Sequence, residues 1–333
     1  MIVVLYDDLA FSFSKVARLT IKGLNKIGYR LVSLNSVHTT YMIPRSGRVI
    51  VIGDTAWFGV SREHIKFIKQ TEKLLLWTDT PVEPLWIAQY ADSYCNTCHI
   101  VCHPYWYREY AKAGIPVHGW IPRQVDEDIV KQVLEKDREE LCRDLWSKYG
   151  RYILTVGSDH TTGFSKPPRK GLDAYDAMCG EIKRRHDVNC LYVGSWSMRN
   201  AVKVSYHGGL SEYELLRLMR CAEVFVWASR SEGFGMPPVE AMSVGTIVVA
   251  SAAPFNDHIY GIKFDIEDVE VSWCQAVMMP YRIFDYRLSE LIDTVDYALS
   301  LPEDDKERIR ELAIEHARKV FRTDIIAYAL IEV

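Results

Sequence analysis

The sequence predicts an α/β protein built from two Rossmann-like, doubly wound domains. Three observations carry this. Short apolar runs alternate with helix-length amphipathic segments through the first third of the chain. A second series of the same kind opens at Tyr152–Gly157. Within that series, Val224 to Ser251 reads as strand, glycine-rich turn, short helix and strand. The chain, 333 residues long, has room for two ordinary domains.

The elements follow in order. Met1 to Tyr6 is an apolar run of the kind a buried parallel strand requires. Phe13 to Ile27 has helical spacing at Val16, Leu19, Thr20, Gly23, Leu24 and Ile27, and Gly28 is its stop signal. Arg30–Leu34 and Arg48–Ile52 read as the next strands. Ser61 to Gln70 reads as a helix capped by Ser61. Lys73–Trp77 and His99–Cys102 complete the first series, and Pro104 opens a helix. The charged stretch Asp126–Tyr149 reads as a solvated helical link. Strands are then expected at Tyr152–Val156, Cys190–Val193, Val202–Tyr206, Val224–Trp227 and Ile247–Ala250. Ser211 with Glu214 forms a capping box. Asp304 to Phe321 is the last long helix, with Ile309, Leu312, Ala313, His316, Ala317, Val320 and Phe321 as its apolar stripe.

Composition narrows the function classes. An apolar fraction of 48% with 25% charged residues is that of a soluble globular protein. A net charge of −4 argues against a nucleic-acid partner. No apolar run reaches the ~18 residues of a membrane span. The start, with Asp7-Asp8 close behind a short apolar run, does not read as a signal peptide. The expected location is the cytoplasm, with the eight cysteines mostly reduced. No helix has the basic-and-apolar split that would argue for docking on a membrane.

The chemistry concentrates in Val226–Ser251. Glu232 and Glu240 flank Gly233-Phe234-Gly235-Met236-Pro237-Pro238. A glycine turn leading into a helix presents unpaired N–H groups and the positive end of the helix dipole to an anion. Carboxylates on either side of it suit hydroxyls, so the pattern fits a nucleotide sugar.

This wording, SEGFGMPPVEAMSVGTIVVAS, resembles the retaining glycosyltransferases of the GT-B fold, family 4, whose hallmark is E-x7-E. The resemblance implies that Glu232 faces the donor sugar and Glu240 takes the ribose hydroxyls, with Gly233, Phe234, Gly235 and Met236 supplying backbone contacts. Gly157-Ser158, the following loop and Lys166-Pro167-Pro168-Arg169-Lys170-Gly171 resemble the family's diphosphate-binding element. Lys170 and Gly171 match it. Ser158 replaces the family's arginine, and Arg169 or Lys166 is then the candidate for the missing charge. Val204–Leu210, with His207, is similar to the element beside the base; it does not separate uridine, guanosine and adenosine donors, of which the UDP and GDP types are the ones expected. Gly119–Asp126 partly resembles the segment leading out of the first domain. The resemblance implies two Rossmann-like domains facing a cleft, at 1–125 and 126–310, with a C-terminal helix at 311–333 crossing back to the first. The implied reaction needs no metal or cofactor, and the acceptor is a glycan, lipid or protein.

The acceptor side departs from the family. The first loop, Asp7–Ser14, has no glycine, and Asp79 stands where the family carries a histidine. Asp54 and Asp79 are the candidates there, as hydroxyl ligands, as a base, or only as helix caps. A nucleotide-sugar-binding protein without transferase activity is the alternative reading. Cys95-Asn96-Thr97-Cys98-His99 fits a haem-attachment spacing, and Cys102-His103 invites a zinc reading. Buried side chains on and around a strand is the reading preferred for this cluster.

Overall fold

The computed structural model describes residues 2–6, 11–29, 31–34, 48–53, 74–78, 81–89, 98–157, 168–206, 208–274 and 279–332. Two compact units emerge. One comprises Met1–Asp126 with Glu232–Phe234 and Val320–Val333, the other Glu127–Ser231 with Gly235–Lys319.

The first unit holds a sheet in the order β2-β1-β3-β4-β5-β6. Its strands are β1 Ile2–Tyr6, β2 Leu31–Leu34, β3 Arg48–Gly53, β4 Leu74–Thr78, β5 Cys98–Val101 and β6 Gly119–Trp120. Every neighbouring pair is parallel. Strand order reverses between β1 and β3. The C-terminal helix Thr323–Glu332 packs on the first helix, Phe11–Lys26. Gly23 makes that approach possible, since a Cβ there would lie 2.3 Å from the Thr323 carbonyl oxygen. The segment Arg123–Asp126 is anchored in the same unit. The Arg123 guanidinium lies 4.1 Å from the centre of the Trp77 ring. Gln124 donates to Thr20 at 2.9 Å, and the buried Asp126 pairs with Arg18 at 3.1 Å and with Lys22. Burial alone would raise the Asp126 pKa, but Lys22 and Arg18 together hold it below the usual carboxylate value.

The second unit holds a sheet in the order β12-β11-β10-β7-β8-β9. These are β7 Tyr152–Val156, β8 Asn189–Val193, β9 Val202–Ser205, β10 Val224–Trp227, β11 Ile247–Ser251 and β12 Ile262–Phe264, all parallel. Every residue of β7, β10 and β11 is buried. Helices cover both faces of such a sheet, which is why these strands read as unbroken apolar runs. Order reverses between β7 and β10, and the loops beyond the carboxyl ends of those two strands lie at a topological switch point, where ligands of open α/β sheets bind. An antiparallel hairpin, β13 Asp268–Cys274 and β14 Met279–Asp285, stands apart from the sheet.

The structure refines the expectations for the link, the cysteines and the last long helix. The link Glu127–Tyr149 forms two helices that bury Val130, Val133, Leu141 and Cys142, so it is not wholly solvated. Cys142 and Cys221 are joined as a disulfide, while Cys98, Cys102, Cys179 and Cys190 carry thiols, in keeping with cysteines that are mostly reduced. The helix Glu303–Val320 turns the predicted stripe inward at Ala313 and Ala317, with Phe321 just beyond it, but leaves Leu312 exposed and buries Arg310 instead. Arg310 is drawn inward by Glu303, Glu307 and Glu223. Among the described residues, no helix is long and apolar enough to cross a membrane.

Candidate active site

In the second unit, two loops beyond the switch-point strands are stitched together. The Arg230 N–H donates to the Arg169 carbonyl at 2.8 Å, and Ser229 Oγ donates to the same oxygen at 3.3 Å. In return, Arg169 donates to the Ser231 carbonyl at 2.8 Å and Arg230 donates to the Pro168 carbonyl at 2.8 Å. Gly171 completes the seam. It has φ +65°, and a Cβ there would stand 1.9 Å from the Ala228 carbonyl oxygen, so only glycine fits. That oxygen also accepts from Tyr286 at 2.5 Å. Lys170 is thereby held beside the end of β10, directly before the helix Leu172–Arg185.

The cations in this region divide into two kinds. Arg230 is buried between Asp173 and Asp285, at 2.9 and 2.8 Å. Burial would lower its pKa, but Tyr286 and the two aspartates outweigh that and raise it above the usual value. Its charge is therefore committed to the fold. Arg169 is half-buried and already engaged with a carbonyl. Lys170 is half-buried, with Nζ 5.5 Å from the centre of the Trp227 ring.

The helix Met236–Ser243 starts at Gly235, whose φ is +86°, with Pro237 in its first turn. Proline lacks an N–H that the first turn would leave unpaired anyway. Glu240 is 5% exposed and lies within this helix. Gly157, after β7, is buried, and its carbonyl sits where a Cβ on Gly194 would fall 1.8 Å away. The Nε1 of Trp227 is buried and has no hydrogen-bond partner among the described residues, as does Ser231 Oγ. Leaving such a group unmade costs about 1–3 kcal/mol.

The first unit holds Glu232–Phe234. Trp106 Nε1 donates to the Glu232 carbonyl at 2.8 Å, and Phe234 meets Phe321 edge-on at 6.0 Å. Trp106 lies on the helix Pro104–Lys112, capped by His103, whose Nδ1 accepts from the Tyr105 N–H at 3.1 Å. Glu232 itself is 6% exposed.

Ser158, Lys166, His207, Asp54 and Asp79 lie outside the described residues, as does Cys95. His99 is fully buried in β5, 3.0 Å from Thr78 Oγ1. Burial lowers its pKa to about 3, so it is a neutral core histidine. Among the described residues, no group of three His, Cys, Asp or Glu is placed to hold a metal ion. Sequence reasoning missed Trp227, Trp106 and the Arg230 network. In the sequence Trp227 reads only as an apolar strand position and nothing singles out Trp106, because their contacts come from distant segments.

Residues 168–263, which span Lys170, Glu232 and Glu240, match the family Glycosyl transferases group 1. A protein of Sulfolobus islandicus filamentous virus, provisionally named glycosyltransferase 41, is 26% identical over 258 residues, covering 77% of this chain and 70% of that one. The O-antigen chain mannosyltransferase RfbU of Salmonella typhimurium is 29% identical over 134 residues, covering 38% of this chain and 37% of RfbU. The solved structure of trehalose-6-phosphate synthase, OtsA, aligns at a TM-score of 0.68 and 9% identity over 99% of this chain and 98% of that one. The fold is GT-B, and the chain is a glycosyltransferase. The matched segment is the part that carries the stitched loops and the glycine turn.

Proposed function

We propose that the chain is a retaining, metal-independent glycosyltransferase that takes its sugar from a UDP- or GDP-sugar. The observation that carries this is the seam between loops 168–171 and 228–231, which fixes Lys170 at the switch point of the second sheet. In this reading Lys170 and the N–H groups at the start of the helix Met236–Ser243 meet the diphosphate, where negative charge grows as the donor bond breaks. Glu240 accepts from the ribose hydroxyls and Glu232 from the donor sugar. Gly157 and Gly235 allow the backbone to approach the ligand.

The C1–phosphate bond breaks and the acceptor oxygen bonds to C1 on the same face. The acceptor proton passes to the departing phosphate oxygen, so no protein base is required. Lys166, Arg169, Ser158 and His207 remain donor-side candidates, and Asp54 and Asp79 acceptor-side candidates. The acceptor is a glycan, lipid or protein hydroxyl. RfbU is named a mannosyltransferase, and one structure similar to this chain is described as bound with UDP-2-fluoro glucose. Both donor types therefore enter the test.

The test is proton NMR of the full-length protein with UDP-glucose or GDP-mannose, EDTA and a panel of acceptor sugars. The expected result is α-linked product from an α-linked donor, undiminished by EDTA. Inverted product, or activity abolished by EDTA and restored by magnesium, would contradict it.

A further inference from the structure

We propose that Trp227 is the positioning residue for the diphosphate-binding lysine. The inference rests on the donor reading above and adds a residue to it. Trp227 closes β10, beside the switch point, and is 2% exposed. Its ring centre lies 5.5 Å from Lys170 Nζ. That is within the range at which an indole, the best of the aromatic partners, attracts a cation through its quadrupole. The edge of the same ring faces the glycine turn. A Cβ on Gly235 would stand 3.5 Å from both Cζ2 and Nε1 of Trp227. One side chain therefore lies beside both the lysine and Gly235, from which the helix Met236–Ser243 starts.

The arrangement answers a mechanical problem. A lysine carries its ammonium on a flexible four-carbon stem, so the charge samples a wide volume unless something confines it. The Lys170 backbone is fixed by the seam at Gly171, and the indole confines the far end. The ring is itself held, with Phe225 stacked 6.3 Å away. Trp227 Nε1 adds a second indication. A phenylalanine could offer a ring face without burying a donor that has no acceptor among the described residues. A side chain kept against that cost points to a constraint beyond packing.

The test is a double-mutant cycle read by calorimetric titration, with UDP and GDP as separate probes. The proteins are full-length wild type, Trp227→Leu, Lys170→Ala and the double variant. Trp227→Leu is expected to weaken binding about threefold to thirtyfold when Lys170 is present. Added to Lys170→Ala, it should change the affinity less than about twofold, because the two residues act as a unit. Trp227→Phe keeps a ring face, so it should retain binding within about threefold of wild type and unfold at no lower temperature. Equal losses from Trp227→Leu in both backgrounds would overturn the proposal and leave a merely structural tryptophan. So would unchanged binding by Trp227→Leu with Lys170 intact. In both cases the donor reading survives. A wild type that binds neither UDP nor GDP would overturn the donor reading and this inference with it.

Discussion

At the residue scale, the loop geometry near the switch point depends on one hydrogen atom. Gly171 has a left-handed backbone and no space for a Cβ beside the Ala228 carbonyl. Gly171→Ala combines backbone strain with a backbone clash, so the seam must part. The expected outcome is a loss of about 2–4 kcal/mol of stability, with a much larger loss of donor binding because Lys170 moves. Chemical unfolding and nucleotide titration of the same sample check this. A variant with wild-type stability and affinity would contradict it. The glycine itself was legible in the sequence, through Lys170-Gly171 after an apolar strand. The reason for it was not, since Ala228 lies far along the chain. The same limit hid Trp227, which reads as one more apolar strand residue. Lys170 and Glu240 stood out because the wording around them resembles the donor-binding elements of a known family. The remaining cations could not be sorted by sequence, because only three-dimensional neighbours show that Arg230 is spent on Asp173 and Asp285.

At the element scale, the central strands were legible because both faces are covered. β7, β10 and β11 are continuous apolar runs and are buried throughout. The hairpin β13–β14 was not legible. Val269, Val271 and Trp273 alternate along β13 as inward-facing residues would, yet all three are exposed. The disulfide was equally hidden, since cysteine spacing does not reveal that Cys142 and Cys221 meet. Strand β5 supplies a pH prediction. Its buried His99 has a pKa lowered to about 3, against 6.5 for an ordinary histidine. Between those values the unfolded chain binds the extra proton, so stability is full above about pH 6.5 and is lost as the pH falls toward 3. Asp126, with its lowered pKa, adds its own loss only below about pH 4. Urea unfolding should show up to about 2 kcal/mol less stability at pH 5 than at pH 6.5 from His99 alone. His99→Gln should flatten that slope. An unchanged slope would contradict the assignment.

At the scale of the whole molecule, each unit carries a parallel sheet with a strand-order reversal, and the reversals locate where ligands bind. In the second unit the reversal coincides with Lys170, Trp227 and the glycine turn. Alternating apolar strands and amphipathic helices were enough to predict this architecture, because parallel βαβ units admit few other arrangements. The acceptor was not predictable on the same grounds. Acceptor recognition depends on loops, and loop residues such as Asp54 and Asp79 carry no pattern that names a substrate. The central claim is that the second unit grips a nucleoside diphosphate through Lys170 and Glu240. Isothermal titration of UDP and GDP against wild type and Glu240→Gln tests it most directly. Saturable binding of at least one nucleotide is expected, weakened about tenfold to a hundredfold by the substitution, because charge-assisted hydrogen bonds are lost. Binding of equal strength to both proteins would contradict it.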